Sequence, residues 1–240
     1  MPVIQSVFFD LYETLAHWEP ARENLQAAAC AEFGIQVDSQ SLIRGYAVAD
    51  ALLAQQNTKY PVRNMAREDR LLFFAEYERV LLREAGVRVS RELAGRIFKQ
   101  LTQFTYDLVL YDDVLPVLAK LSGEGIILGV ISNYSRDIHV LTQRLGLDVY
   151  LDFAVTSKEV GAEKPHPQIF QFALGKSMTE PRQTLHVGDQ YDSDVQGALN
   201  MGINPLLLDR DDLFARYKDV RRIRTLFEVP ESIRILGNQT

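Results

Sequence analysis

Short, almost continuously apolar runs recur along the chain, and each stops at a small polar or acidic residue. Val3 to Phe9 runs into Asp10, and Ile126 to Ile131 runs into Ser132. Phe153 to Val155 stops at Thr156-Ser157, Leu185 to Val187 at Gly188-Asp189, and Leu206 to Leu208 at Asp209. Apolar runs without alternation are strands buried on both faces, which is how parallel strands read. Between them the spacing becomes helical: Val114 to Leu121, Asp137 to Leu145, Pro167 to Leu174 and Asp192 to Met201. Gly146 and Gly202 stand where helix C-caps belong. Strands alternating with helices predict an α/β fold whose parallel strands are joined by right-handed crossovers.

The stretch from about Ala16 to Gln103 breaks this rhythm. It is rich in Ala, Leu, Glu, Gln and Arg, contains no convincing strand, and holds long helical patterns such as Arg67 to Glu84. It reads as a helical insertion, residues 16–105, placed after the first strand of a core formed by residues 1–15 and 106–240. In that position it would overhang the C-terminal edge of the sheet, where open α/β sheets bind ligands.

Composition narrows the class. A net charge of -6 gives a field that favours neither nucleic acid nor an anionic membrane, so the expected partner is a small molecule. Arg221, Arg222 and Arg224 run against that balance and read as a solvated face. Cys30 is the single cysteine, which excludes an intrachain disulfide, and its alanine-rich surroundings suggest a buried, inert thiol. The N-terminus lacks the basic and long apolar segments of a secretory signal, and no run approaches the length of a membrane span. The resulting expectation is a cytoplasmic protein.

Four strand-end clusters carry candidate chemistry. In Phe8-Phe9-Asp10-Leu11-Tyr12-Glu13-Thr14-Leu15, Asp10 either caps the turn or attacks an electrophile. In Val130-Ile131-Ser132-Asn133, the hydroxyl and nearby amides suit an anion, although Ser-Asn is also ordinary turn chemistry. In Gly161-Ala162-Glu163-Lys164-Pro165-His166-Pro167, two prolines hold the chain around Lys164, which is otherwise a surface charge. In His186-Val187-Gly188-Asp189-Gln190-Tyr191-Asp192-Ser193-Asp194, closely spaced carboxylates suit a hard cation such as Mg²⁺ or else cap the next helix. His186 itself reads as a strand residue.

Together, and in this order, the four clusters resemble the motif set of the haloacid dehalogenase superfamily. That set is an Asp-x-x-x-Thr nucleophile, a strand-end Ser or Thr, a Lys-Pro, and a Gly-Asp with a further aspartate. The resemblance covers nearly all of the core, and the helical insertion resembles the cap of the family's best-populated subgroup. It implies a Rossmann-like doubly wound core and a hydrolase. It also implies roles: Asp10 attacks and forms an aspartyl-phosphate, and Thr14 orients the nucleophile loop. Ser132 and Lys164 bind the transferred group, with Asn133 beside them. Mg²⁺ is held by Asp10, the Tyr12 carbonyl and Asp189, with Asp194 supporting or completing the site.

Two positions depart from the phosphatase pattern. Tyr12 replaces the usual second aspartate, the general acid for the leaving group, and Glu13 replaces the usual glycine. Asp-x-Tyr is similar to the 2-haloacid dehalogenases, and Arg44 falls roughly where those enzymes hold an arginine for the substrate. Asp189 and Asp194 point instead to the Mg²⁺-binding phosphatases. The leading expectation is a Mg²⁺-dependent phosphohydrolase with an altered acid step. A metal-independent dehalogenase and a non-catalytic binding protein are the alternatives. Trp18 and His17, just past the nucleophile loop, are expected to face the substrate. Lys59, Arg63, Asn64 and Arg67 are further cap contacts.

Overall fold

The structure, a computed structural model, describes residues 4–133 and 137–237; Val3, where the first apolar run begins, lies outside them. The chain forms two compact units, one comprising the residues up to His17 and from Val109 onward, the other Trp18–Leu108.

The first unit is built on six strands in the order β5-β4-β1-β6-β7-β8. These are β1 (Ser6–Phe9), β4 (Ile127–Ser132), β5 (Phe153–Thr156), β6 (Thr184–Gly188), β7 (Asn204–Leu208) and β8 (Arg222–Ile223). All neighbouring pairs are parallel, as expected of strands with no polar face. Helices α5 (Val114–Gly123), α6 (Ile138–Arg144), α7 (Ser157–Val160), α8 (Pro167–Ser177), α9 (Gln196–Asn200) and α10 (Val229–Gly237) complete the unit. Phe8, Ile131, Val155, Ile169, Phe170, Ala173, Ala198 and Ile203 form one buried cluster of this core.

Register decides where the polar ends fall. Phe9 is level with Val130 of β4 on one side and with Val187 of β6 on the other. Asp10, Ser132 and Asp189 therefore emerge at the same edge of the sheet. The strand order reverses about β1, the switch point at which open α/β sheets form their ligand crevice.

Local choices support this arrangement. Gly129 of β4 has the Phe153 ring where a Cβ would be, and that ring meets Phe8 edge-on at 5.5 Å. Asp137 caps α6 by accepting from the His139 amide at 2.9 Å. Gly146 and Gly202 adopt the left-handed conformation expected of them, both with φ of 69°. The predicted helix Asp192–Met201 is instead a π-helical turn, Tyr191–Val195, followed by α9.

The second unit consists of α1 (Arg22–Ala31), α2 (Ser39–Lys59), α3 (Arg67–Glu84) and α4 (Arg91–Leu101). Its core gathers Ala29, Cys30, Leu42, Tyr46, Ala49, Tyr77, Leu81, Leu82 and Ile97. Asp38 caps α2 through the Ser41 amide at 2.9 Å, and Ser90 caps α4 through the Leu93 amide at 3.2 Å. The chain passes between the units through β2 (Ala16–Glu19) and β3 (Asp107–Leu110), which pair as a two-stranded sheet. β2 corrects the expectation of a strand-free insertion. Four residues without an alternating apolar pattern carry no strand signal, and a partner about ninety residues away creates the strand. Among the described residues no helix is long and apolar enough to cross a membrane.

Candidate active site

Lys164 links three of the four strand-end clusters. Its ammonium donates to Asp10 Oδ1 and, at 2.6 Å, to Asp194 Oδ1. Asp194 Oδ1 also accepts from His186 Nε2 at 3.0 Å, and its Oδ2 accepts from the Gln190 amide at 3.1 Å. Lys164, Asp194 and His186 are each at most 2 % exposed, so Lys164 is not the solvated surface charge that isolated lysines usually are.

The main chain on either side of this lysine is fixed by Asn133. Its Oδ1 accepts from the Lys164 amide at 2.8 Å, and its Nδ2 donates to the Lys164 carbonyl at 3.2 Å. The Asn133 side chain is thus committed to holding the turn that carries Lys164.

Electrostatics separates the two carboxylates that share the ammonium. Burial would raise Asp194, but Lys164 and His186 more than offset it and hold that carboxyl low. Burial raises Asp10, with Lys164 opposing the shift and the Asp194 charge adding to it. Asp194 is accordingly held as a buried counter-ion of the lysine, while burial pulls Asp10 the other way. Burial would lower Lys164, yet the facing charges of Asp10 and Asp194 keep it protonated. Burial also lowers His186, with the Asp194 hydrogen bond opposing the shift, and its Nε2 faces the Asp194 carboxylate.

Two hydroxyls at this edge are buried and unpartnered: Ser132 Oγ and Thr14 Oγ1. A buried hydroxyl without a partner is uncommon and points to a missing acceptor. Asp189 follows β6 and is half-buried. Among the described residues no group of three or more His, Cys, Asp or Glu side chains converges as a metal cage. A cation here would rest on Asp10, Asp189, the Tyr12 carbonyl and water, the few hard oxygen ligands that suit Mg²⁺. Asp194 has both oxygens taken by Lys164, His186 and Gln190, so its place is behind the lysine.

Glu13 adopts φ of 56°, and its Oε2 accepts from the Tyr111 hydroxyl at 2.7 Å. Arg210 lies over the Tyr111 ring at 3.8 Å and donates to the Thr14 carbonyl at 2.9 Å. The same guanidinium binds Asp113 through Nη1 at 2.8 Å and Nη2 at 3.0 Å. No sequence feature had singled out Tyr111, Asp113 or Arg210, and His186 had read only as a strand residue. Their signal is tertiary: each gains its role from a partner distant in sequence.

Most of the remaining candidates belong to the helical unit. Arg44 is on the exposed face of α2, where its Nη2 donates to Ser41 at 2.8 Å. Trp18, also in the helical unit, stacks on Tyr106 at 3.9 Å, and His17 packs against Tyr111 at 4.6 Å. Lys59, Asn64 and Arg67 are exposed. Arg221 and Arg224 are exposed, in keeping with a solvated face; Arg222 and Arg224 pair there with Asp212, and Arg222 also with Asp209.

Residues 4–202 match the family model for haloacid dehalogenase-like hydrolases. The chain belongs to this family. It is 25 % identical over 239 residues to the ribulose-1,5-bisphosphate 5-phosphatase of Halopiger xanaduensis, covering 98 % of this chain and 97 % of that one. Its fold matches a HAD phosphatase from Thermococcus onnurineus, with a TM-score of 0.57 and 20 % identity over 95 % of this chain and 97 % of that one. It matches the 2-haloacid dehalogenase of Pseudomonas syringae with the same TM-score and 23 % identity, over 97 % and 99 %. Both chemistries occur on this fold, so the choice between them falls to the site's side chains.

Proposed function

We propose that this hydrolase is a Mg²⁺-dependent phosphohydrolase that works through an aspartyl-phosphate on Asp10. The observation that carries the reading is the Asp10–Lys164–Asp194 chain at a sheet edge that also presents Asp189 and an unpartnered Ser132 hydroxyl. A family dehalogenase resembling this one would not need the acid at Asp189, and the similarity to a phosphatase over nearly the whole chain points the same way.

In this reading an Asp10 carboxylate oxygen attacks phosphorus while the bond to the leaving-group oxygen breaks. Ser132 and Lys164 stabilise the charge that spreads over the phosphoryl oxygens. Asp194, itself bound by His186, keeps Lys164 charged and aimed, and Asn133 fixes its backbone. Asp10, Asp189 and the Tyr12 carbonyl would hold Mg²⁺, which supplies positive charge against the phosphoryl oxygens. Water then cleaves the acyl-phosphate, restoring Asp10 and releasing phosphate.

Tyr12 occupies the position of the usual general acid. A missing general acid typically costs about 10²- to 10⁴-fold, and the loss falls most heavily on alkoxide leaving groups. Aryl and acyl phosphates are therefore the favoured substrates, and small phosphorylated metabolites the substrate class.

The test is turnover of p-nitrophenyl phosphate, acetyl phosphate and an alkyl phosphate, with Mg²⁺ and with EDTA, beside an Asp10→Asn variant. Mg²⁺-dependent turnover of the first two, absent from the variant, is the expected result. Chloride release from 2-chloropropionate that persists in EDTA, without phosphatase activity, would overturn it.

A further inference from the structure

We infer that Arg210 and Tyr111 are positioning residues that clamp the loop carrying Asp10, by holding Glu13 in a backbone conformation that a glycine would adopt unaided. The catalytic consequence rests on the reading of Asp10 as the nucleophile; the clamp itself does not.

The loop from Asp10 to Ala16 closes on its own main chain. The Leu15 and Ala16 amides both donate to the Leu11 carbonyl at 2.9 Å, and the Glu13 amide donates to the Ala16 carbonyl at 2.8 Å. This closure requires a positive φ at Glu13, 56°. A residue with a Cβ reaches that region only against steric resistance, and glutamate has no short side chain to compensate locally. Something outside the loop must favour the conformation, and the described contacts identify it.

The Tyr111 hydroxyl donates to the Glu13 carboxylate at 2.7 Å. Arg210 grips the adjacent residue by donating to the Thr14 carbonyl at 2.9 Å, and its guanidinium covers the Tyr111 ring at 3.8 Å. The arginine is itself immobilised. Asp113, 5 % exposed, binds both of its terminal nitrogens. Asp113 is anchored in turn by the Thr225 hydroxyl at 2.6 Å and the Leu226 amide at 2.8 Å. A rigid frame thus contacts two successive residues of the seven-residue Asp10–Ala16 loop, one of them the strained one. Thr14, whose hydroxyl is buried and unpartnered, cannot hold the loop through its own side chain. An arrangement that only packed the core would have no reason to meet the turn at its strained residue.

The test compares Tyr111→Phe, Arg210→Met, Glu13→Gly and the Tyr111→Phe/Glu13→Gly pair. Hydrogen–deuterium exchange over the Asp10–Ala16 segment reads the clamp whether or not the protein turns over phosphate. Exchange should rise about tenfold in Tyr111→Phe, the effect of one hydrogen bond to a charged group, and at least as much in Arg210→Met. On p-nitrophenyl phosphate, Tyr111→Phe should lower kcat by a similar factor with KM nearly unchanged. Glu13→Gly should restore kcat in the Tyr111→Phe background, because glycine holds the left-handed turn without a partner. Melting temperatures separate this from global destabilisation, which glycine at position 13 would not repair. Unchanged exchange in both single variants, or a kcat loss that persists in the pair, would overturn the inference. A wild-type protein without Mg²⁺-dependent turnover would instead refute the phosphohydrolase reading, and the exchange data would still decide the clamp.

Discussion

At the residue scale, the site depends on close approaches that only particular side chains permit. Gly188 is the clearest case: a Cβ built on it would lie within van der Waals overlap of the Asp194 carboxyl group. Gly188→Ala should push Asp194 off Lys164 and Lys164 off its alignment with Asp10. Misplacement by about 1 Å can cost ~10²-fold in rate, so kcat should fall by about that factor while thermal stability falls far less. Steady-state kinetics beside a melting curve checks both halves of the expectation. Asp10 and Ser132 stood out in the sequence because the end of a buried strand is a poor place for a polar group without a function, and Lys164 and Asp194 stood out only through the motif order that they complete. Tyr111, Asp113 and Arg210 were not, since an arginine among acidic neighbours carries no sign of the ring it will cover. His186 was hidden for the opposite reason: within an apolar strand, an imidazole reads as filler until Asp194 is brought to its Nε2.

At the element scale, the apolar runs fixed the strands because burial on both faces leaves no competing periodicity. The two-residue strand β8 escaped notice, since Arg222 and Ile223 hold no run; their pairing with Leu207 and Leu208 makes the strand. The π-helical turn at Tyr191–Val195 likewise has no sequence signature, and it places Asp194 so that Oδ2 meets the Gln190 amide. In the helical unit α2 and α3 pack so tightly that a Cβ on Gly45 would stand 2.5 Å from the Leu81 carbonyl oxygen. That oxygen is backbone and cannot rotate aside, so the helices would have to separate. Although alanine is the better helix former by about 1 kcal/mol, Gly45→Ala should destabilise the protein by about 1–3 kcal/mol, the usual range for overpacking. Urea unfolding measures the sign; stabilisation would mean that the contact is looser than the structure has it.

At the scale of the whole molecule, buried carboxyl groups titrate in opposite senses, Glu78 and Asp10 raised by burial and Asp113 and Asp194 held low, and their balance sets where stability peaks. In the helical unit Glu78 is fully buried, with Oε1 bound by Gln26 at 2.6 Å and Oε2 without a partner. Burial raises its pKa from 4.5 to about 8, with the Gln26 bond opposing the shift. The folded state therefore keeps a proton that the unfolded chain releases above pH 4.5, and stability falls as pH rises from there to about 8. Asp113 works the other way: burial raises it, but Arg210, Thr225 and the Leu226 amide more than offset that and lower it. Asp194 is held low by Lys164 and His186. Both contribute stability that is present above the unfolded carboxylate range and lost as pH falls. The maximum should lie between the two windows, on the acidic side of neutral. At about 1.4 kcal/mol for each tenfold change in proton affinity, Glu78 alone tilts the alkaline side by several kcal/mol. Glu78→Gln keeps an acceptor for Gln26 and removes the ionisation. Its melting temperature should exceed that of the wild type at pH 8.5, approach it at pH 5, and fall less between the two than that of the wild type, the remaining fall coming from Asp10. A wild-type protein whose stability is already flat from pH 5 to 8.5 would mean that water or a cation reaches the Glu78 carboxylate, and that the helical core is less closed than its packing implies.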